Sequence, residues 1–100
     1  MTTLEILREA RAFHAEGPHR WCQGKMFDGN AMCMWGLISL TAETDAARTH
    51  AWRPVLDAVA PNEKHPSVVL WQDAPGRTYA EIMAAWDRAI ASEEAKEQSS

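Results

Sequence analysis

Ile6, Leu7, Ala10 and Phe13 recur at the three- and four-residue spacing of one helix face. Thr2 and Glu5 stand ahead of them as a capping box, and Gly17-Pro18 follows as a stop. The pattern predicts a first helix from about residue 3 to residue 15. Residues 17 to 30 then lose all periodicity. Gly17, Pro18, Gly24 and the Asp28-Gly29-Asn30 turn punctuate a loop that nevertheless carries Trp21, Cys22, Met26 and Phe27. A loop with that many apolar side chains should fold back onto the core, and loops of this length are often functional.

From Ala31 to Ala42 the chain is apolar almost all round, which marks a central buried element. We read it as a helix with Asn30 as N-cap and Gly36 as a close-packing point. A buried strand is the alternative, because periodicity does not separate the two in short apolar runs. Thr44-Asp45 offers a further start, and Trp52, Val55, Leu56 and Val59 share a helix face that should end before Pro61. Pro54 lies inside that pattern, so the regular helix either begins only around residues 50 to 53 or carries a kink. Pro61 to Pro66 reads as a loop. The segment from Pro66 to Asp73 reads as a short helix, with a buried strand as the alternative. Ala74-Pro75-Gly76-Arg77 fits a type II turn. Thr78 and Glu81 form a second capping box, and Tyr79, Ile82, Met83, Trp86 and Ile90 extend it into a helix over about 79–93. Residues 94–100 should fray. The fold class expected is all-α: one domain over residues 1–93, four or five helices around a tryptophan-rich core.

Composition sharpens this reading in three places. Five tryptophans stand against a single tyrosine in 100 residues, so Trp21, Trp35, Trp52, Trp71 and Trp86 are expected to supply much of the core. The net charge is −4 with no basic run, which argues against a nucleic-acid partner. No apolar run is long enough to span a bilayer, and no secretory leader pattern follows Met1, so the expected setting is the cytoplasm, without a membrane partner. Cys22 and Cys33 should then be free thiols lying close together. Ten residues separate them, so a bridge is sterically open to them should the protein meet an oxidant.

Candidate chemistry is sparse. His14, His19, Cys22 and Cys33 are all acceptable zinc ligands, but their spacing is not that of a known zinc module, and no metal or other cofactor is expected. Cys22 could serve as a nucleophile if one of His14, His19, His50 or His65 reached it. No phosphate-binding glycine loop is present. His19, Arg20 and Lys25 form a small basic cluster around Trp21. Asp73 and Arg77 flank the Pro75-Gly76 turn, where the aspartate can accept backbone N–H groups and pair with the arginine. Met26 and Phe27 sit near the tip of the long loop, and aromatic, methionine and arginine side chains are enriched at interface cores. The candidate binding residues are therefore Arg20, Trp21, Lys25, Met26, Phe27, Asp73 and Arg77.

Three blocks carry a resemblance. Trp21-Cys22-Gln23-Gly24 resembles a W-C-x-G block, Cys33-Met34-Trp35-Gly36-Leu37-Ile38 a C-A-x-G-A-L block, and Trp71-Gln72-Asp73-Ala74-Pro75-Gly76-Arg77-Thr78 a W-N-D-x-P-G-R-T block. All three belong to a family of uncharacterised domains in actinobacterial and actinophage proteins. Gln72 stands where that family usually has Asn, and Met34 and Trp35 where small residues are commoner. The resemblance implies a helical, cytoplasmic, phage-encoded protein and brings no activity or cofactor with it. The expected function is a small non-enzymatic interaction module, a phage product acting on a host protein. The alternatives are a small-ligand or nucleotide binder rimmed by the Trp21–Lys25 loop and the Asp73–Thr78 turn, and, third, a cysteine-dependent enzyme. Association with a second copy of the chain is also open.

Overall fold

A computed structural model describes residues 1–59 and 67–99 of the chain, with the side chain of Ser99 left aside. The loop expected from Pro61 to Pro66 lies outside the described residues. Five α-helices are present among those described: α1 (Thr3–Ala15), α2 (Met34–Thr41), α3 (Asp45–Val59), α4 (Val68–Gln72) and α5 (Tyr79–Ser99). A one-turn 3₁₀ segment at Pro18–Arg20 follows α1, and a short hairpin joins β1 (Phe27–Asp28) to β2 (Ala31–Met32). The all-α expectation holds, with this hairpin as the one addition.

Both capping boxes form as their sequences require. Thr2 Oγ1 accepts the Glu5 N–H while Glu5 Oε1 accepts the Thr2 N–H. Thr78 and Glu81 repeat the arrangement at the start of α5. Between α4 and α5, Arg77 N–H donates to Ala74 O at 3.1 Å, and Gly76 has a φ of +84°. That is the backbone of a type II turn, which needs glycine at its third position.

Two boundaries differ from the sequence expectation, and one open alternative is decided. The helix expected from residue 31 starts at Met34, because Ala31 and Met32 pair antiparallel with Asp28 and Phe27 across the Gly29-Asn30 loop. The N-cap is accordingly Cys33 and not Asn30: Cys33 Sγ accepts the Gly36 N–H at 3.3 Å. Of the alternatives left open for α3, the start at Thr44-Asp45 holds and the start at residues 50 to 53 does not, since Thr44 Oγ1 accepts the Ala47 N–H and nucleates the first turn. Pro54 is then carried inside the helix, buried. α5 runs on to Ser99 and not to about 93. Its last turns are built from good helix formers and braced by a Lys96–Glu93 ion pair.

The core lies where α1, α3 and α5 pack together and α2 closes one side. Ile6, Leu7 and Ala10 of α1 meet Ala51 and Val55 of α3, Leu37 and Ile38 of α2, and Ile82, Ala85, Trp86 and Ala89 of α5. Only one tryptophan, Trp86, is fully buried; Trp21, Trp52 and Trp71 pack partly against this cluster. Trp35 packs edge-on against Trp52, with ring centroids 4.6 Å apart. The tryptophans therefore frame the core more than they fill it, as expected of side chains too large to bury completely. No helix among the described residues is long and apolar enough to cross a membrane.

Candidate functional site

The long loop is held down by polar contacts with the segment between α4 and α5. Its anchor is Gln72, a polar residue only 1% exposed at the end of a short apolar helix. Gln72 Oε1 accepts the Trp21 indole N–H at 2.8 Å and the Met34 N–H at 3.3 Å. Its Nε2 donates to Cys22 O at 3.2 Å and to Asp73 Oδ1. One side chain thus ties together the loop after α1, the first turn of α2 and the end of α4. Gln23 returns the contact, donating to Gln72 O at 2.7 Å and Ala74 O at 3.2 Å. Asp73 Oδ1 also accepts the Gly24 N–H at 3.0 Å. The three sequence blocks meet here, through Trp21, Cys22, Gln23 and Gly24 of the first, Met34 of the second and Gln72, Asp73 and Ala74 of the third.

The middle block meets the loop at Gly36. A Cβ at that position would stand 2.8 Å from Met26 Cγ and 3.0 Å from Met26 O. The glycine lets the loop backbone lie directly against α2, as its place in an apolar run suggested. Cys33 N–H donates to Met26 O at 3.1 Å and completes the seam.

An open cleft of about 180 Å³ lies along this seam, lined by Gly24, Lys25, Met26, Cys33, Trp35, Val69 and Asp73. Of the candidate residues, Lys25, Met26 and Asp73 come together on its wall. Trp21 is partly buried, its N–H spent on Gln72. Phe27 is 48% exposed on β1, outside the cleft lining. The two arginines are directed elsewhere. Arg20 pairs with Glu16 at 3.2 Å, donates to Asn30 O and stacks on Phe13. Arg77 does not pair with Asp73; it lies 4.0 Å over the Trp71 ring, donates to Trp71 O and pairs with Glu81 at 2.6 Å. Each arginine takes an acid four residues away along the chain, Glu16 for Arg20 and Glu81 for Arg77. Sequence reasoning passed over Gln72, Gln23, Trp35 and Val69. For Gln72 a signal existed: a glutamine closing an apolar helix must find partners once buried.

The titratable groups offer little chemistry. His14 is fully buried. Its Nδ1 accepts the Trp86 indole N–H at 2.9 Å, so Nε2 carries the proton and donates to Met32 O at 2.7 Å. Burial holds its pKa below the ordinary histidine value, against the Met32 carbonyl, which raises it. With both ring nitrogens in use, His14 is a structural histidine. No cluster of three or more His, Cys, Asp or Glu among the described residues is arranged to hold a metal ion. Burial pushes the Cys22 thiol up, helped by Cys33, Asp28 and Asp73 and opposed by Lys25. Its S–H is given to Lys25 O at 3.4 Å, and no histidine among the described residues bonds to it. The raised thiol pKa leaves little thiolate at neutral pH.

Fold and site together define a small helical domain whose apolar, charge-rimmed cleft is assembled by three short motifs around a buried glutamine. The chain matches the family of unknown function DUF6197 over residues 1–92, and it belongs to that family. No curated protein and no solved structure matches it.

Proposed function

We propose that this chain is a protein-interaction module whose contact face is formed by residues 24–27 and the outer side of α4. The observation that carries this reading is the exposure of four large apolar side chains on those two segments: Met26 at 40%, Phe27 at 48%, Val69 at 39% and Leu70 at 73%. Met26 and Val69 face one cleft, with Lys25 and Asp73 at the same wall. Apolar surface with a charged rim is the usual anatomy of a docking patch. At about 180 Å³ the cleft is smaller than the roughly 300–1,000 Å³ of pockets that enclose small ligands. It suits one apolar side chain of a protein partner. The convergence of a lysine and an aspartate on it favours, as a second reading, a small zwitterionic ligand. A cytoplasmic setting and a phage product acting on a host protein are the finer form of the main reading, and rest on the resemblance of the three blocks and on the free cysteines.

Phe27→Ala separates a docking residue from a core residue. The reading expects a melting temperature within the roughly 0.5 kcal/mol scatter of surface substitutions. It also expects loss of capture of a host protein that the natural chain binds both in lysate and when purified. A stability loss of about 3 kcal/mol or more would instead make Phe27 a core residue, and capture that survives the substitution would remove it from the interface. Native mass spectrometry showing a carried small molecule would favour the second reading.

A further inference from the structure

We propose that Cys22 and Cys33 form a thiol–disulfide exchange site that a low-molecular-weight disulfide such as glutathione disulfide closes into an intramolecular bond. The inference stands on backbone geometry and is independent of the docking reading. Trp21 and Met32 form a parallel β-bridge. The bridge is isolated, but Trp21 (φ −111°, ψ 138°) and Cys33 (φ −80°, ψ 167°) are both extended, so the next residues in its register are Cys22 and Cys33. Adjacent strands lie about 4.8 Å apart. Disulfides bridge Cα atoms separated by about 4.4 to 6.8 Å. A second set of contacts agrees: the Cys22 S–H donates to Lys25 O, and the Cys33 N–H donates to the next carbonyl, Met26 O. Both cysteines are free, Cys22 partly exposed and Cys33 buried.

That difference in exposure orders the steps. Cys22 loses its proton to solvent, and its thiolate attacks one sulfur of glutathione disulfide. The glutathione S–S bond breaks, a Cys22–glutathione mixed disulfide forms, and one glutathione thiolate leaves. Cys33 then loses its proton, attacks the Cys22 sulfur and expels the second glutathione thiolate. Two protein thiols are oxidised and one glutathione disulfide is reduced to two glutathiones. The raised Cys22 thiol pKa makes the first step slow near neutrality and faster in mild alkali. The product ties the Trp21–Lys25 loop to the N-cap of α2, which are the two sides of the cleft seam.

The test uses the full chain, reduced, then incubated with excess glutathione disulfide in mild alkali and quenched with acid. Mass spectrometry should find a product lighter by two hydrogens, without glutathione, and a digest should link Cys22 to Cys33. The Cys33→Ser chain should stop at one glutathione adduct on Cys22, and the folded Cys22→Ser chain should take up none. The bond should also resist reduction better in the folded chain than in urea. A glutathione adduct that persists on the natural chain, a bond formed only between chains, thiols that react only after denaturation, or equal resistance in urea would each overturn the proposal.

Discussion

Trp86→Ala is expected to unfold much of the population near physiological temperature. Trp86 is fully buried at the centre of α5, and its indole N–H is the donor that holds His14 Nδ1. Truncating a buried tryptophan costs roughly 3–5 kcal/mol, and the unpaired Nδ1 adds about 1–3 kcal/mol. A domain of this length has only about 5–15 kcal/mol to lose. Thermal melts followed by circular dichroism should show a drop of more than about 15 °C, from about 4–8 °C per kcal/mol at this size. A drop of only a few degrees would mean that α5 is not packed through Trp86. The same pair sets a pH dependence. His14 is held neutral in the fold, with its pKa below the unfolded value of about 6.5. Above that value neither state is charged at His14, and its contribution is constant. As pH falls below about 6.5 the unfolded chain takes up the proton first, so stability declines until the depressed folded value is reached and then levels. Denaturant titrations of the natural chain and of His14→Phe should show this slope in the former and its loss in the latter. An identical pH profile for both would contradict the assignment.

Gln72→Leu is expected to cost nearly as much, for a different reason. The substitution keeps the volume, so no large cavity forms. It leaves the Trp21 indole N–H, the Met34 N–H and the Cys22 carbonyl without the partner each now has. Buried polar groups left unsatisfied cost about 1–3 kcal/mol each; the Met34 N–H is buried and the other two groups only partly so, which gives a loss on the order of 3–6 kcal/mol, measurable by urea unfolding. A loss below about 1 kcal/mol would show that the loop is held by its apolar side chains alone.

These two residues also show where sequence reasoning reached and where it stopped. Elements specified by neighbours in the chain were legible. The Thr2/Glu5 and Thr78/Glu81 boxes, the Ala74–Arg77 turn and the face Tyr79–Ile82–Trp86 need only local spacing, and all form. The start of α2 was misplaced because Ala31–Met32 and the helix behind it are equally apolar. Only the pairing of Met32 with Phe27 decides that the first two residues are strand. The candidate site was legible in part. Lys25, Met26 and Asp73 were singled out by residue type, and they meet. Gln72 was not, since its partners Trp21 and Met34 lie 51 and 38 residues away and no periodicity encodes such contacts. Arg77 has an acid four residues away on each side, Asp73 and Glu81, so spacing alone did not choose between them; in the fold Asp73 Oδ1 is taken by the Gly24 N–H and the Gln72 amide, and Glu81 takes the arginine.

The central claim is that Gln72 assembles the three motifs into one site, and hydrogen exchange of the tryptophan indole N–H groups, resolved by NMR, tests it most directly. In the natural chain Trp21 and Trp86 should exchange slowly, because their indoles donate to Gln72 Oε1 and His14 Nδ1. Trp71, whose indole N–H bonds to nothing among the described residues, should exchange fast. In Gln72→Leu, Trp21 should lose its protection while Trp86 keeps its own. Exchange of Trp21 as fast as Trp71 in the natural chain, or protection of Trp21 unchanged by the substitution, would contradict the account.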